Sequence, residues 1–494
     1  MKRFLEILPG ALSWLTIFLM FFVSAKLPVA AAVFIILFDI YWLLKTIYLY
    51  LHLRITYKLM KENLKINWLK KLDEVNPNWQ KIYHLIIFPM YKEPYEVVYE
   101  SFKSLIETNY PKDKFIVVLA TEARAGQEAQ LTAQKIEKEF SKKFFKFLIT
   151  IHPENLENEI PGKGSNETWA AKQAKKIIID PLKIPYENIL TSVFDIDTQV
   201  FKEYFGRLVY VFSTTNNNLN SIYQPIPLFT NNIYEANALA RTISFSSTFW
   251  QMMQQSRPER LTSFSSQSIP FKALVDIDFW QTNAVSEDSR IFWQCYLHYN
   301  GNFKVTPLIY PVSMDANAHP SFWKTLKNLY LQQRRWAWGA DDIPYLLYGF
   351  IKNKFIPLKK KLYWSFHIIE GFWSWATNSI LIFALGWLPL ILGGKNFNYT
   401  MLSYNLPKIT GFIVQLSMFG VITSAILAII LLPPKPPGFK KWHYSLYILQ
   451  WLLLPIVLIV FGAIPALEAQ TRLMLGGKFR LGFWVTPKMR IKTA

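Results

Sequence analysis

Five apolar stretches bracket one long polar region, and this partition constrains the chain more than any single motif. Residues 5–25 and 28–51 are apolar at the start, and 362–393, 409–433 and 445–467 at the end. The first two each approach the ~20 residues that cross a bilayer core. Val23-Ser24-Ala25 also resembles a leader cleavage site, so residues 5–25 read either as a first crossing or as a signal peptide. Lys58, Lys61, Lys65, Lys70 and Lys71 follow the second stretch, and Lys352, Lys354, Lys359, Lys360 and Lys361 precede the third. Positive flanks mark the cytosolic side, so the polar region between them is expected in the cytosol. The lysine- and proline-rich link 434–441 reads as a cytosolic loop. Three further crossings would then leave the C-terminus outside.

Composition agrees with this division. Hydrophobic residues make up 51% and aromatics 16%, and the net charge is +20. A basic balance suits nucleic acid, an anionic membrane face or phosphorylated substrates. The basic residues lie beside the apolar stretches, and no strand-borne stacking platform is evident, so a membrane is expected and a nucleic-acid partner is not. A single cysteine, Cys295, excludes an internal disulfide framework and a cysteine-based zinc site. His152, His298, His319 and His367 are scattered without metal-ligand spacing.

The polar region alternates strand and helix signals. His84–Pro89, Phe115–Ala120, Phe144–Ile151 and Ile189–Phe194 read as strands. Glu93–Thr108, Ala125–Phe140 and Thr168–Ile178 have helical spacing. This order predicts an α/β fold with a mostly parallel sheet, plus α-helical membrane segments. Ligands in such sheets sit at the carboxyl ends of strands, where Thr121-Glu122 and Asp195-Ile196-Asp197 fall.

Asp195 and Asp197 on an extended chain point the same way, and two such carboxylates suit Mg²⁺ or Mn²⁺ with substrate phosphates. Asp276-Ile277-Asp278 has the same letters but no strand before it, and reads as a loop or helix start. Ser286-Glu287-Asp288 opens a helical run. It is either an N-cap with dipole-favoured acids or the seat of a general base, Asp288. Gly162-Lys163-Gly164-Ser165 precedes a helix and is either a phosphate-approaching segment or a plain turn. Gln332, Arg335 and Trp336 stand at i, i+3 and i+4 on one helix face, joining an amide, a guanidinium and an indole. The alternative is an interfacial helix bearing Arg and Trp at the membrane. Glu370 lies within an apolar stretch, where acids are often functional, or equally at the cytosolic interface near Lys361.

In this order and spacing the motifs resemble those of the membrane-integrated family 2 glycosyltransferases, which include cellulose, glucomannan, chitin and hyaluronan synthases. Ile87–Glu93 is similar to the family's opening strand and nucleotide-binding turn. Lys163-Gly164 resembles its lysine-glycine segment, Asp195 and Asp197 its DxD pair, and Asp288 the last acid of Thr-Glu-Asp. Tyr223-Gln224-Pro225 resembles a segment near the acceptor, and Gln332, Arg335 and Trp336 match Gln-x-x-Arg-Trp. Phe483-Trp484-Val485-Thr486-Pro487-Lys488 resembles the gating loop that closes over the nucleotide from the cytosolic side.

The resemblance implies a GT-A-like (Rossmann-like) cytosolic domain and inverting transfer from a UDP- or GDP-sugar to a growing glycan. Under it, Asp288 and Glu287 are catalytic. Glu93, Glu122, Lys163, Asp195, Arg335, Thr486 and Lys488 bind the nucleotide-sugar. Gln332, Trp336 and Gln224 meet the acceptor, and Asp195 and Asp197 hold the metal. Glu122 stands where the family carries an Asp pair, which leaves UDP and GDP both open. The implied layout is a hairpin at 1–52, a transferase domain at 53–320, and interfacial helices at 321–360. Membrane and interfacial helices follow at 361–470, then a gating-loop-like tail at 471–494. A cytosolic tail requires that 445–467, with Pro455 and Pro465, does not cross fully. The expected location is the plasma (inner) membrane. The alternatives are transfer of one sugar to a lipid carrier such as polyprenyl phosphate, and a non-catalytic scaffold with a degenerate domain.

Overall fold

The structure is a computed structural model and describes residues 1–490, so the last four positions of the expected 471–494 tail lie outside the described residues. Eight strands form one sheet: β1 (Tyr83–Pro89), β2 (Phe115–Glu122), β3 (Lys146–His152), β4 (Ile189–Val193), β5 (Gln199–Val200), β6 (Ser221–Leu228), β7 (Ser268–Pro270) and β8 (Lys304–Ser313). Their order is β3-β2-β1-β4-β7-β6-β8-β5. The first four pair in parallel, with Ile87 opposite both Val118 and Val193. This half is the parallel sheet the sequence predicts. The second half is mixed: β7 is antiparallel to β4 and β6, β5 is antiparallel to β8, and β6 and β8 are parallel.

Alternation along β1 divides the core. Ile86 and Phe88 enter one cluster with Phe102, Leu105 and Phe205. Leu85 and Ile87 enter the opposite cluster with Ala170, Ala174, Ile291 and Phe292. Helices cover both faces, which is why the strand reads as an unbroken apolar run rather than an alternating one.

Five helices are long and apolar enough to cross a membrane: Lys2–Lys26, Pro28–Asn63, Leu358–Leu385, Met401–Ile430 and Trp442–Leu475. The fifth is interrupted. A 3₁₀ turn at Gln450–Leu453 precedes Pro455, and a π-helical turn at Ile459–Ala463 precedes Pro465. Each proline removes a backbone donor and clashes with the preceding turn. The segment after this helix returns to the sheet, where Lys488 Nζ lies 2.6 Å from Asp197 Oδ2. Three complete passes after the sheet would leave that lysine on the opposite side of a bilayer. Glu370, the acid in the Leu358–Leu385 helix, is not isolated, since Lys45 Nζ lies 3.6 Å away.

A buried ion cluster fastens the helix carrying Asp288 to the turn after the Phe322–Ala337 helix. Arg290 donates to Asp342 Oδ1 at 2.6 Å, Asp341 Oδ2 at 2.9 Å and Gln281 Oε1 at 2.8 Å. Arg290→Ala strands the buried Asp342 carboxylate, and removal of one buried partner costs about 3–5 kcal/mol. Thermal melts in detergent should show a marked drop for this variant and none for Lys135→Ala, an exposed position in the Gln127–Phe140 helix. Matching melts for Arg290→Ala and the wild type would remove the cluster's assigned role.

Candidate active site

The site lies at the carboxyl end of the parallel strands and has Lys163 at its centre. The helix there begins at Lys163 itself, several residues before the expected Thr168. Lys163 Nζ is 2.7 Å from Asp288 Oδ1, 2.9 Å from Asp195 Oδ1, and 3.5 Å from both Glu167 Oε1 and Glu287 Oε1. Burial opposes its charge, but Asp195, Asp288, Glu167 and Glu287 hold its pKa well above the usual lysine value. Asp195 responds in kind: burial acts to raise its pKa, while Lys163 and Lys488 hold it below the carboxylate range. Burial, then the Asp288 charge, pushes Glu287 up to about 8.

Gly164 eases the close approach of the two helices. A Cβ there would stand 3.0 Å from the Glu287 Cβ. Ser286 makes no side-chain cap bond, so simple N-capping does not account for its motif. Glu167 was absent from the expected site. Its sequence signal is the i, i+4 spacing from Lys163 on one helix face.

Asp195 and Asp197 do not share an extended segment. The chain turns after β4, and the two carboxylates take different partners. Asp197, fully buried, accepts from the Asp315 backbone N–H at 2.8 Å and from Lys488 at 2.6 Å. Asp315 accepts from Asn231 at 2.9 Å and from Arg490 at 3.2 Å. Asn231 also donates to the Asp197 carbonyl at 2.9 Å, clipping the two loops together. The antiparallel pairing of Gln199 with Ser313 sets this register. Among the described residues, Asp197 Oδ1 and Asp315 Oδ2 are buried without a hydrogen-bond partner.

Asp315 is the principal residue that the sequence reading missed. It follows a strand by two residues, as Asp195 does, but Pro307 and Pro311 hide that strand in the sequence, so no local signal marked it. Glu93 stands near this pair. It accepts from the Tyr91 N–H at 2.7 Å, and burial raises its pKa to about 7.

Two groupings offer oxygen donors to a hard divalent cation. Glu167, Glu287 and Asp288 present oxygens within 4.8 Å of one another, but the Lys163 ammonium already sits against all three. Both groupings keep buried oxygens unsatisfied, Glu167 Oε1 and Oε2 with Glu287 Oε1 in the first and Asp197 Oδ1 with Asp315 Oδ2 in the second, and they differ in that one lysine of the fold meets all three acids of the first whereas two separate cations of the tail, Lys488 and Arg490, each meet one acid of the second. The donor set is all carboxylate, as Mg²⁺ or Mn²⁺ prefers.

The third wall is the Phe322–Ala337 helix. Trp336 is flanked by Phe229 and Phe264, with ring centroids 6.2 Å and 5.9 Å away. Gln332 accepts from Asn317 at 3.3 Å. The Arg335 guanidinium lies 5.0 Å from the Phe483 ring centre, and its Nε is buried without a partner among the described residues. The tail therefore covers the pocket. Thr486 is buried, Lys488 reaches Asp197, and a Cβ on Gly162 would come within 2.6 Å of Phe483. Arg334 turns away and joins Glu468 at 2.7 Å.

Three placements differ from expectation. Gln224, expected at the acceptor, is fully buried, and its amide is spent on the backbone of Phe264 and Ser265. It shapes the loop that holds Phe264 against Trp336. Glu122 ends β2 but turns to Arg124 Nε at 2.5 Å, which neutralises it locally. Asp276 closes the Phe271–Asp276 helix rather than starting one, while Ile277 and Asp278 lie in the turn after it, as the loop alternative expects.

No family model matches this sequence, and no curated protein does. Among the solved structures that it resembles are glycosyltransferases. One is the mannosyltransferase PcManGT from Pyrobaculum calidifontis in complex with GDP-Man and Mn²⁺, at 12% identity, covering 85% of this chain and 99% of that one, with a TM-score of 0.41. Another is S. aureus TarS 1–349 in complex with UDP-GlcNAc, at 15% identity, covering 70% and 90%, with a TM-score of 0.37. At these values the likeness identifies neither substrate nor mechanism.

Proposed function

We propose that this chain is an inverting, membrane-embedded glycosyltransferase that passes a sugar from a UDP- or GDP-sugar to a glycan acceptor at the inner leaflet. The observation that carries the reading is the single Lys163 ammonium, which touches both Asp195 and Asp288. A residue placed for the donor diphosphate and a residue placed as base thus face one small volume.

The donor lies at the strand ends, between Lys163, Arg335 and the tail residues Thr486 and Lys488. Asp288 accepts the proton of the acceptor hydroxyl as it attacks the anomeric carbon, and the carbon–oxygen bond to the diphosphate breaks in line, inverting the centre. Lys163 and Arg335 place positive charge where the diphosphate gains negative charge. Asp197 and Asp315 would hold Mg²⁺ or Mn²⁺, in place of the expected pair Asp195 and Asp197, and the ion would supply Lewis-acid stabilisation of the leaving diphosphate. Trp336, framed by Phe229 and Phe264, stacks the acceptor sugar, which favours a glycan acceptor and chain extension. Gln332 orients it. Glu287, whose pKa burial and the Asp288 charge raise, sets the electrostatics beside Asp288.

In this reading residues 1–52 form a membrane hairpin, 53–320 the transferase unit, 321–360 the interfacial helices, 361–470 the remaining membrane and interfacial helices, and 471–494 the closing tail. Four helices cross, and the interrupted fifth stays at the inner face. The test is purification in detergent, incubation with a panel of UDP- and GDP-sugars with Mg²⁺ or Mn²⁺, and mass analysis of products. A ladder of β-linked oligomers from an α-linked donor is the expected result. One sugar on a lipid phosphate would replace chain extension, and no turnover of any donor would remove the transferase reading.

A further inference from the structure

Away from the transferase pocket, the link Ser256–Arg260 inserts between the inner ends of two membrane helices. His52, on the Pro28–Asn63 helix, pairs with Ser256 Oγ at 2.8 Å. It lies 24 residues beyond Pro28, and at 1.5 Å per residue that is about 36 Å, past a ~30 Å hydrocarbon core and level with lipid headgroups. On the Leu358–Leu385 helix, Tyr363 donates to the Glu259 carbonyl at 3.2 Å. His367 faces Arg257, Arg260, Glu259 and Glu370 from the same helix.

Arg257 is the telling group. It is only 7% exposed, and its guanidinium carbon lies 5.7 Å from the Tyr48 ring centre. One terminal nitrogen donates to Gln254, while Nε is buried with no partner among the described residues. Gln254 satisfies one arm of this guanidinium, and Nε is left without an acceptor at headgroup depth. The nearby acids do not supply one: Glu370 is engaged by Lys45 at 3.6 Å, and the Glu259 side chain is exposed.

An apolar recess of about 370 Å³ meets the same link at Pro258 and Glu259, the residues next to Arg257, and is walled by Phe292, Tyr363 and Trp364 with Lys360 at its side. Positive charge with an aromatic wall beside it, between membrane helices on the cytosolic side, is the chemistry that holds a lipid phosphate.

We propose that Arg257, Arg260 and His52 bind the phosphate of a lipid whose chain lies along Tyr363 and Trp364. The site is separate from the nucleotide-sugar pocket and does not depend on the transferase reading.

The experiment uses full-length protein, delipidated in detergent and titrated with phosphatidylglycerol, phosphatidylcholine, a polyprenyl phosphate or inorganic phosphate. Bound ligand is counted by native mass spectrometry, so no catalytic activity is needed. The expected result is one tightly held anionic lipid per chain, at least tenfold preferred over phosphatidylcholine, with inorganic phosphate failing to displace it at millimolar concentration. Arg257→Gln should lower retention at least tenfold and the exposed Arg260→Gln about threefold, while Lys440→Gln, a basic residue in the distant 434–441 loop, changes nothing. Thermal melts show whether Arg257→Gln is folded, and Arg260→Gln carries the test if it is not. Equal retention by wild type and both arginine variants overturns the site, and displacement by inorganic phosphate overturns its assignment to a lipid.

Discussion

Asp288→Asn should leave donor binding within about twofold and reduce sugar transfer by roughly 10²–10⁴, the range that general-base catalysis contributes. The substitution is nearly isosteric. The asparagine carbonyl can still accept from Lys163, which lies 2.7 Å from the carboxylate, so the packing of the pocket survives. What disappears is a group able to take the acceptor proton. Donor binding is read by calorimetry with a non-transferable nucleotide-sugar, and transfer by product mass. An Asp288→Asn enzyme that turns over at the wild-type rate would falsify the base assignment. Lost donor binding together with lost transfer would instead place Asp288 on the donor, through Lys163.

Asp197→Asn should weaken Mn²⁺ binding at least 100-fold, and Asp315→Asn roughly 10- to 100-fold, as loss of ligands or of their close supports does. Free Mn²⁺ measured by electron paramagnetic resonance reads this without turnover. The two acids are coupled through the Asp315 N–H to Asp197 bond and through Asn231, so the double variant should lose less than the sum of the singles. Because Lys488 and Arg490 lie on the same two carboxylates, Lys488→Ala should tighten Mn²⁺ binding in the absence of nucleotide. If neither acid variant alters Mn²⁺ binding, the ion belongs to Glu167, Glu287 and Asp288 or to no group named here.

Much of the first half of the fold is legible before any coordinates. Strands β1 to β4 are apolar runs of ordinary length punctuated by helical spacing, and such signals are local. The second half is not. β5 and β7 are two and three residues long, too short for periodicity to show, and β8 carries Pro307 and Pro311, which mask a strand. For the same reason Lys163, Asp195, Asp288 and Arg335 stand out as motifs at the ends of periodic segments, whereas Asp315 does not. Its importance comes from the β5–β8 pairing, which joins positions more than a hundred residues apart.

The residues in order, by hydropathy and charge, determine the membrane stretches, the α/β alternation and the identity of most candidate acids and bases. Those properties reside in neighbouring side chains and need no tertiary contact. The tertiary structure alone decided that Asp195 and Asp197 part company after the β4 turn, that Gln224 is spent on a loop, that Asp315 meets Asp197, and that the tail returns to the sheet. Each of these depends on which distant segments pack together, and that is set by the free energy of the whole core rather than by any local pattern.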